Sequence, residues 1–145
     1  MDETRRDSAS QAGEKNGKAR LLIIEDDVFL RNLLVNKLAK DGYVISDAID
    51  GPSALKLLET ERPDLILMDL LLPGMDGFAV LREMKKSPEL AKIPVIVLSN
   101  LGSQEDIDRV MALGASDYLI KANFTLDEIV KRINQILEEK YFKLP

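Results

Sequence analysis

The chain has 145 residues, 46% apolar and 31% charged, and 20 Lys and Arg against 25 Asp and Glu leave a net charge of -5. That length suits one domain with a buried core, and the balance is that of a globular chain, with no apolar run approaching the roughly 20 residues a membrane-spanning helix needs. The acidic balance removes the broad positive field that holds nucleic acid by its phosphates, so no direct nucleic-acid binding is expected, and the absence of His and Cys excludes disulfides, thiolate chemistry, Cys/His zinc sites and imidazole catalysis.

Residues 1–19 hold no aromatic or β-branched aliphatic side chain and mix both charge signs with Ser, Gly and Asn. They read as a solvated tail. The apolar stretch of a signal peptide is missing, which together with the lack of Cys points to the cytoplasm. The fragment from Gly13 to Ala19 is superficially like a phosphate loop, but it is one residue short and Ala19 stands where a Ser or Thr would reach magnesium.

From Leu21 onward, short apolar runs alternate with segments of helical period. Strands are predicted at Leu21–Ile24, Tyr43–Ile45, Leu65–Met68, Val95–Leu98 and Tyr118–Ile120. Three of these are uninterrupted apolar runs, as expected of central strands covered on both faces. The intervening helices show apolar faces: Leu30, Leu33, Leu34 and Leu38 in the first, then Ala54, Leu57 and Leu58, then Phe78, Leu81 and Met84, then Ile107, Val110 and Met111. The last carries Ile129, Val130, Ile133, Ile136 and Leu137.

Boundary signals agree with this division. Gly42 follows the first helix, Pro63 and Pro94 each precede a strand, Gly114 ends the fourth helix, and Thr125 with Glu128 makes a capping box for the fifth. Five βα units in succession predict a doubly wound α/β sandwich around a parallel sheet, whose ligands sit just past the carboxyl ends of the strands.

The first strand runs directly into Glu25-Asp26-Asp27, and the third ends at Asp69. Carboxylates gathered there repel one another and are costly to desolvate, which a bound hard cation or raised pKa values would relieve. Magnesium fits best, since it takes a few carboxylates and keeps positions open for water or phosphate oxygens. The alternative is that acids cap the following helices; it is strongest for Asp27, furthest past its strand, and weak for Asp69, whose next helix begins only near Gly77. The fourth strand delivers Ser99 and the fifth Lys121. Each alone would be an ordinary loop residue, whereas acids, a hydroxyl and an amine at the ends of different strands form a specific set.

With those residues the chain resembles a receiver domain of a two-component response regulator over roughly residues 20–139. The motifs are Ile23-Ile24-Glu25-Asp26-Asp27, the segment Asp64 to Gly77 containing Asp69-Leu-Leu-Leu-Pro73-Gly74, Val97-Leu98-Ser99, and Gly114-Ala-Ser-Asp-Tyr118-Leu-Ile-Lys121. The resemblance implies a flavodoxin-like three-layer fold with strand order 2-1-3-4-5. It implies that Asp69 is the phosphoacceptor, that Glu25, Asp26, Asp69 and the backbone carbonyl of Leu71 hold magnesium, or manganese in its place, and that Ser99 and Lys121 hold phosphoryl oxygens. It further implies a sensor histidine kinase or phosphotransfer protein as donor and no enzymatic activity beyond the domain's own phosphorylation and dephosphorylation. Ser99 and Tyr118 would form a switch, the ring turning inward when Ser99 is drawn to the phosphoryl group, and helix four, strand five and helix five would present the changed face to an effector.

The sequence departs from the family pattern in places. Lys121 is followed by Ala122 where many receivers have Pro in a cis bond, so either a trans bond with altered loop geometry or a strained cis bond is expected. Leu71 and Leu101 stand two positions after Asp69 and Ser99; neither side chain can orient an attacking water and both can shield the phosphoryl group, which predicts slow self-dephosphorylation. Residues 140–145 form a short extension in which Tyr141, Phe142 and Leu144 fold back on the last helix or make a small interface. The chain ends at Pro145 without a predicted output domain, so either a single-domain regulator that acts alone by docking on a partner or a receiver module cut from a longer protein is expected, as a monomer or weak dimer.

Three other readings compete. A phosphotransferase of the haloacid dehalogenase type would need a second Asp where Leu71 stands. A receiver-like module that is never phosphorylated would not need all five functional positions filled. A flavodoxin-like nucleotide carrier would need a Gly/Ser/Thr-rich loop in place of the acids after the first strand.

Overall fold

The computed structural model describes residues 19–141. Most of the predicted tail, the loop-like fragment up to Lys18, and Phe142 and Leu144 lie outside the described residues. The strands are β1 (Arg20–Ile24), β2 (Val44–Ala48), β3 (Leu65–Met68), β4 (Val95–Ser99) and β5 (Asp117–Ile120). The helices between and after them are α1 (Val28–Lys40), α2 (Gly51–Leu57), α3 (Gly77–Lys85), α4 (Gln104–Ala112) and α5 (Leu126–Tyr141). A single helical turn, Pro88–Ala91, precedes β4; its cap is Ser87, whose hydroxyl accepts from the Leu90 amide at 3.3 Å.

The strands lie in the order β2-β1-β3-β4-β5, and all pairs are parallel. Successive side chains of a strand face opposite ways, so a strand covered on both sides is apolar throughout. Leu22, Ile24, Ile66, Met68, Val95 and Val97 pack against Ala54 and Leu58, the α3 residues Phe78, Leu81 and Met84, and Val110 of α4. Leu21, Ile23, Leu65, Leu67, Ile96 and Leu98 pack the other way, against Leu34 and Leu38 of α1 and Ile129, Ile133 and Leu137 of α5. The three-layer sandwich expected from the sequence is thereby formed.

Some expected details differ. β2 begins one residue after Tyr43 and continues through Ser46 and Asp47 to Ala48. The Tyr43 amide instead donates to the Leu38 carbonyl at 3.1 Å, closing the end of α1 where Gly42 takes a left-handed φ of 98°. Ser46 and Asp47 pair with Leu22 and Ile23 through backbone alone, which an edge strand with a wet face allows whatever its side chains. Leu33 and Met111 are exposed, each at 42%, because the buried stripes pass through their neighbours Leu34 and Val110.

Acids and hydroxyls set the helix starts. Asp27, Asp50, Asp76 and Ser103 each cap the helix that follows, their oxygens accepting otherwise unpaired amides. The expected capping box closes α5: the Thr125 amide donates to Glu128 Oε1 at 2.8 Å, and the Glu128 amide donates to Thr125 Oγ1 at 3.1 Å. At the other end of α5, the Tyr141 hydroxyl donates to the Asp64 carbonyl at 3.0 Å. Burial and the Asp64 charge push its phenol up to about 12. Tyr141 is thus the last residue of α5 rather than part of an extension beyond it, and its side chain reaches the turn before β3 instead of folding back on the helix. Among the described residues, no helix is long and apolar enough to cross a membrane.

Candidate functional site

The β1–β3 register places Ile24 opposite Met68, so Glu25 and Asp69 leave the sheet side by side, tied by the Asp69 amide donating to the Ile24 carbonyl at 3.0 Å. Both carboxylates are buried, at 2% and 5% exposure, while Asp26 is exposed. Carboxylate oxygens of Glu25, Asp26 and Asp69 lie within 4.8 Å of one another. Asp27 does not join them: its Oδ1 caps α1 by accepting from the Leu30 amide at 3.1 Å, and its own amide donates to Glu25 Oε2 at 3.1 Å.

Lys121 comes from the end of β5, beyond β4, and its side chain crosses to the acids. Its Nζ stands 2.8 Å from Asp69 Oδ2 and 3.0 Å from Glu25 Oε1. Lys121–Asn123 form a 3₁₀ turn, and no peptide bond among the described residues is cis, so Ala122 is accommodated by a trans bond in a short turn. Burial works against the Lys121 ammonium, yet its hydrogen bonds to Asp69 and Glu25 prevail and hold it above its ordinary pKa. Burial raises the Glu25 carboxyl, aided by the Asp69 charge, although the Asp27 amide and Lys121 pull it back.

Ser99 is fully buried at the end of β4, its Oγ accepting from the Leu101 amide at 3.3 Å. Tyr118, paired in register with Val97, donates its hydroxyl to the Leu101 carbonyl at 2.5 Å. Burial, followed by the charge of Asp106, raises its phenol. The Leu71 amide donates to Asp69 Oδ1 at 3.2 Å, while the Leu71 side chain stands 54% exposed. Leu101 is half-buried.

The roles of two supporting residues were not legible in the sequence. Gly77 starts α3 against the back of the site, where a Cβ would stand 2.8 Å from the Asp69 carbonyl oxygen and 2.8 Å from Leu70 Cα. Only glycine lets that helix approach so closely. Arg31 reaches from α1 to the Glu25 carbonyl at 2.9 Å and to Asp47 at 3.1 Å. The only sequence signal for it was a cation in the first turns of the helix that follows the acids.

Three carboxylates facing one ammonium leave the cluster net negative. Its donors are hard oxygens with one acid open to solvent, which fits a magnesium-sized divalent cation that keeps part of its water.

Residues 21–134 match the family model of the response regulator receiver domain. The probable transcriptional regulator ycf27 of Cyanophora paradoxa is 34% identical over 120 residues, which are 83% of this chain and 48% of that protein. The chain thus spans about half the length, or less, of the curated relatives it matches. The receiver domain of the sensor histidine kinase PA1611 of Pseudomonas aeruginosa, described with a magnesium ion coordinated in its active-site cleft, superposes with a TM-score of 0.72 at 28% identity, over 86% of this chain and 98% of that one. The phosphorylated cyanobacterial phytochrome response regulator RcpA superposes with a TM-score of 0.71 at 32% identity, over 82% of this chain and 91% of that one. Sequence and architecture agree: the chain belongs to the response regulator receiver domain family of two-component signalling.

Proposed function

We propose that Asp69 accepts a phosphoryl group from a sensor histidine kinase or phosphotransfer protein, and that residues 20–139 are the unit that does so. The observation that carries this reading is the meeting of Asp69, Glu25 and Lys121 from three strands within hydrogen-bonding reach. Receiver domains are phosphoacceptors rather than enzymes in the ordinary sense; in the transfer, the bond from phosphorus to the donor breaks as one from an Asp69 carboxylate oxygen to phosphorus forms.

Magnesium, or manganese in its place, would be held by Glu25, Asp26, Asp69 and the Leu71 carbonyl. When bound, the ion supplies positive charge to oppose that of the phosphoryl oxygens and the carboxylates. Lys121 offers its ammonium to a second phosphoryl oxygen, and the Ser99 hydroxyl with nearby amides takes a third. Neither imidazole nor thiol is needed, since the chemistry is placement and charge neutralisation.

Drawing Ser99 toward the phosphoryl group breaks its bond with the Leu101 amide. The Tyr118 hydroxyl holds the Leu101 carbonyl, so ring and loop respond together, and the α4, β5 and α5 face takes a second arrangement that an effector reads. This is a shift between two populations biased by local charge. The domain then works in the cytoplasm as a monomer or weak dimer, making no nucleic-acid contact of its own.

The test is intact-protein mass after incubation with acetyl phosphate, with magnesium and with a chelator. A gain of one phosphoryl group with magnesium only is expected; no gain under conditions that label a known receiver overturns the reading.

Phosphoryl lifetime follows from the flanking leucines. Neither Leu71 nor Leu101 orients water, so replacing them together by Asn and Glu is expected to speed hydrolysis by about tenfold or more. The loss of phosphoryl mass with time after donor removal measures it, and an unchanged rate disproves the shielding.

A further inference from the structure

The turn that carries the acids leaves the sheet at Glu25. The Glu25 amide still bonds to β2, donating to the Ala48 carbonyl at 3.1 Å, but its carbonyl has passed the last rung of the ladder. A strand-end carbonyl next to buried carboxylates needs a donor. Arg31 provides it: Nη1 donates to the Glu25 carbonyl at 2.9 Å while Nε donates to Asp47 Oδ2 at 3.1 Å. The Arg31 side chain is only 13% exposed. Its own amide donates to the Asp27 carbonyl at 2.9 Å, so backbone and side chain of one residue grip both ends of the Glu25–Asp27 turn.

We propose that Arg31 is a positioning residue for the divalent cation: it fixes the Glu25 peptide between β1, β2 and α1, and so holds the Glu25 and Asp26 carboxylates where they converge with Asp69. This inference rests on the reading of that cluster as a magnesium site. Arg31 makes no contact with the metal-binding oxygens among its hydrogen bonds and works through the main chain that carries them. A guanidinium suits the task because its planar fork serves two acceptors in fixed directions, which a lysine ammonium on a flexible stem does not.

Two effects of removing Arg31 have opposite signs. Loss of a positive charge near the acids would strengthen cation binding, whereas loss of the grip on the turn would weaken it. Outer-shell partners of metal ligands typically contribute 10- to 100-fold in affinity, so the grip dominates and affinity falls.

The experiment is magnesium titration of the full chain by calorimetry, without a phosphoryl donor, for wild type, Arg31→Met and Arg31→Lys, with metal-free melting of each. Arg31→Met is expected to bind about tenfold more weakly. Arg31→Lys keeps the charge and remains weakened, which separates geometry from electrostatics. It also carries the test should Arg31→Met fail to fold. Wild-type affinity in Arg31→Lys overturns the proposal, as does tighter binding in Arg31→Met. So does a lowered melting midpoint with unchanged affinity, the mark of a merely structural residue. If wild type itself binds no magnesium, the metal-site reading fails and takes this inference with it; normal wild-type binding with unaffected variants sinks the inference alone.

Discussion

Asp69→Ala is expected to take up no phosphoryl group from acetyl phosphate under conditions in which the wild-type chain gains one. The physical ground is that no other nucleophile at the strand ends has the same surroundings. Glu25 is as deeply buried and its oxygens have matching partners, the Asp27 amide and Lys121, but it stands at the end of β1, which the sheet order separates from β4 and Ser99. Asp26 is exposed and carries no such ammonium contact among the described residues. Asp69, buried with the Lys121 ammonium at 2.8 Å and the Leu71 amide at 3.2 Å, stands at the end of the central strand β3, which lies directly between β1 with Glu25 and Asp26 and β4 with Ser99. Intact mass reports the outcome, and peptide mapping locates the group in the wild type. Uptake by Asp69→Ala equal to that of wild type would assign the acceptor elsewhere.

Lys121→Met should slow phosphoryl uptake on the order of a hundredfold, the effect of deleting one preorganised partner of developing charge. At tenfold per 1.36 kcal/mol this is about 2.7 kcal/mol in the barrier. The same substitution strips two buried carboxylates of their shared cation. Removing one partner of a buried ion pair destabilises by about 3 kcal/mol or more, so the metal-free melting midpoint should fall. Adding Asp69→Ala to Lys121→Met should return part of that stability, because the repulsion between Glu25 and Asp69 disappears with the second carboxylate. Stopped-flow or quenched mass measurements give the rate, and thermal melting gives the rest. A variant that labels at the wild-type rate would show that Lys121 supports only the apo fold.

Magnesium binding and phosphoryl lifetime are then expected to be separable. Substituting Arg31 is expected to change cation affinity before any phosphoryl group arrives, whereas replacing the Leu71 and Leu101 side chains is expected to change the access of water after transfer.

What the sequence determined by itself is the order of βα units and the identity of the strand-end residues. Apolar runs of four residues at Leu21–Ile24 and Leu65–Met68 have one physical outlet, a central strand covered on both faces, and the residue after such a run must stand at the sheet's carboxyl edge. Glu25 and Asp69 were therefore legible before any coordinate, as was the capping box at Thr125 and Glu128. β2 was legible only in part, because an edge strand tolerates Ser46 and Asp47 and so breaks the apolar pattern that marks strands. The exposed positions of Leu33 and Met111 were not legible either, since a helix of period 3.6 presents neighbouring leucines or methionines to slightly different directions and only the opposing sheet decides which is covered.

Tertiary structure alone decided how the strand ends meet. Lys121 is 52 residues from Asp69 in sequence, and no local pattern fixes that its side chain crosses β4 to reach both acids. The cap of Asp27 on α1, by contrast, is a local contact with the Leu30 amide that the sequence already favoured; what the tertiary structure added is that Asp26 stays with Glu25 and Asp69. Arg31 and Gly77 belong to the same class. Arg31 donates to the Glu25 carbonyl at 2.9 Å, and a Cβ added at Gly77 would come within 2.8 Å of the Asp69 carbonyl oxygen; such approaches arise from the packing of helices on the sheet, which composition and periodicity do not encode.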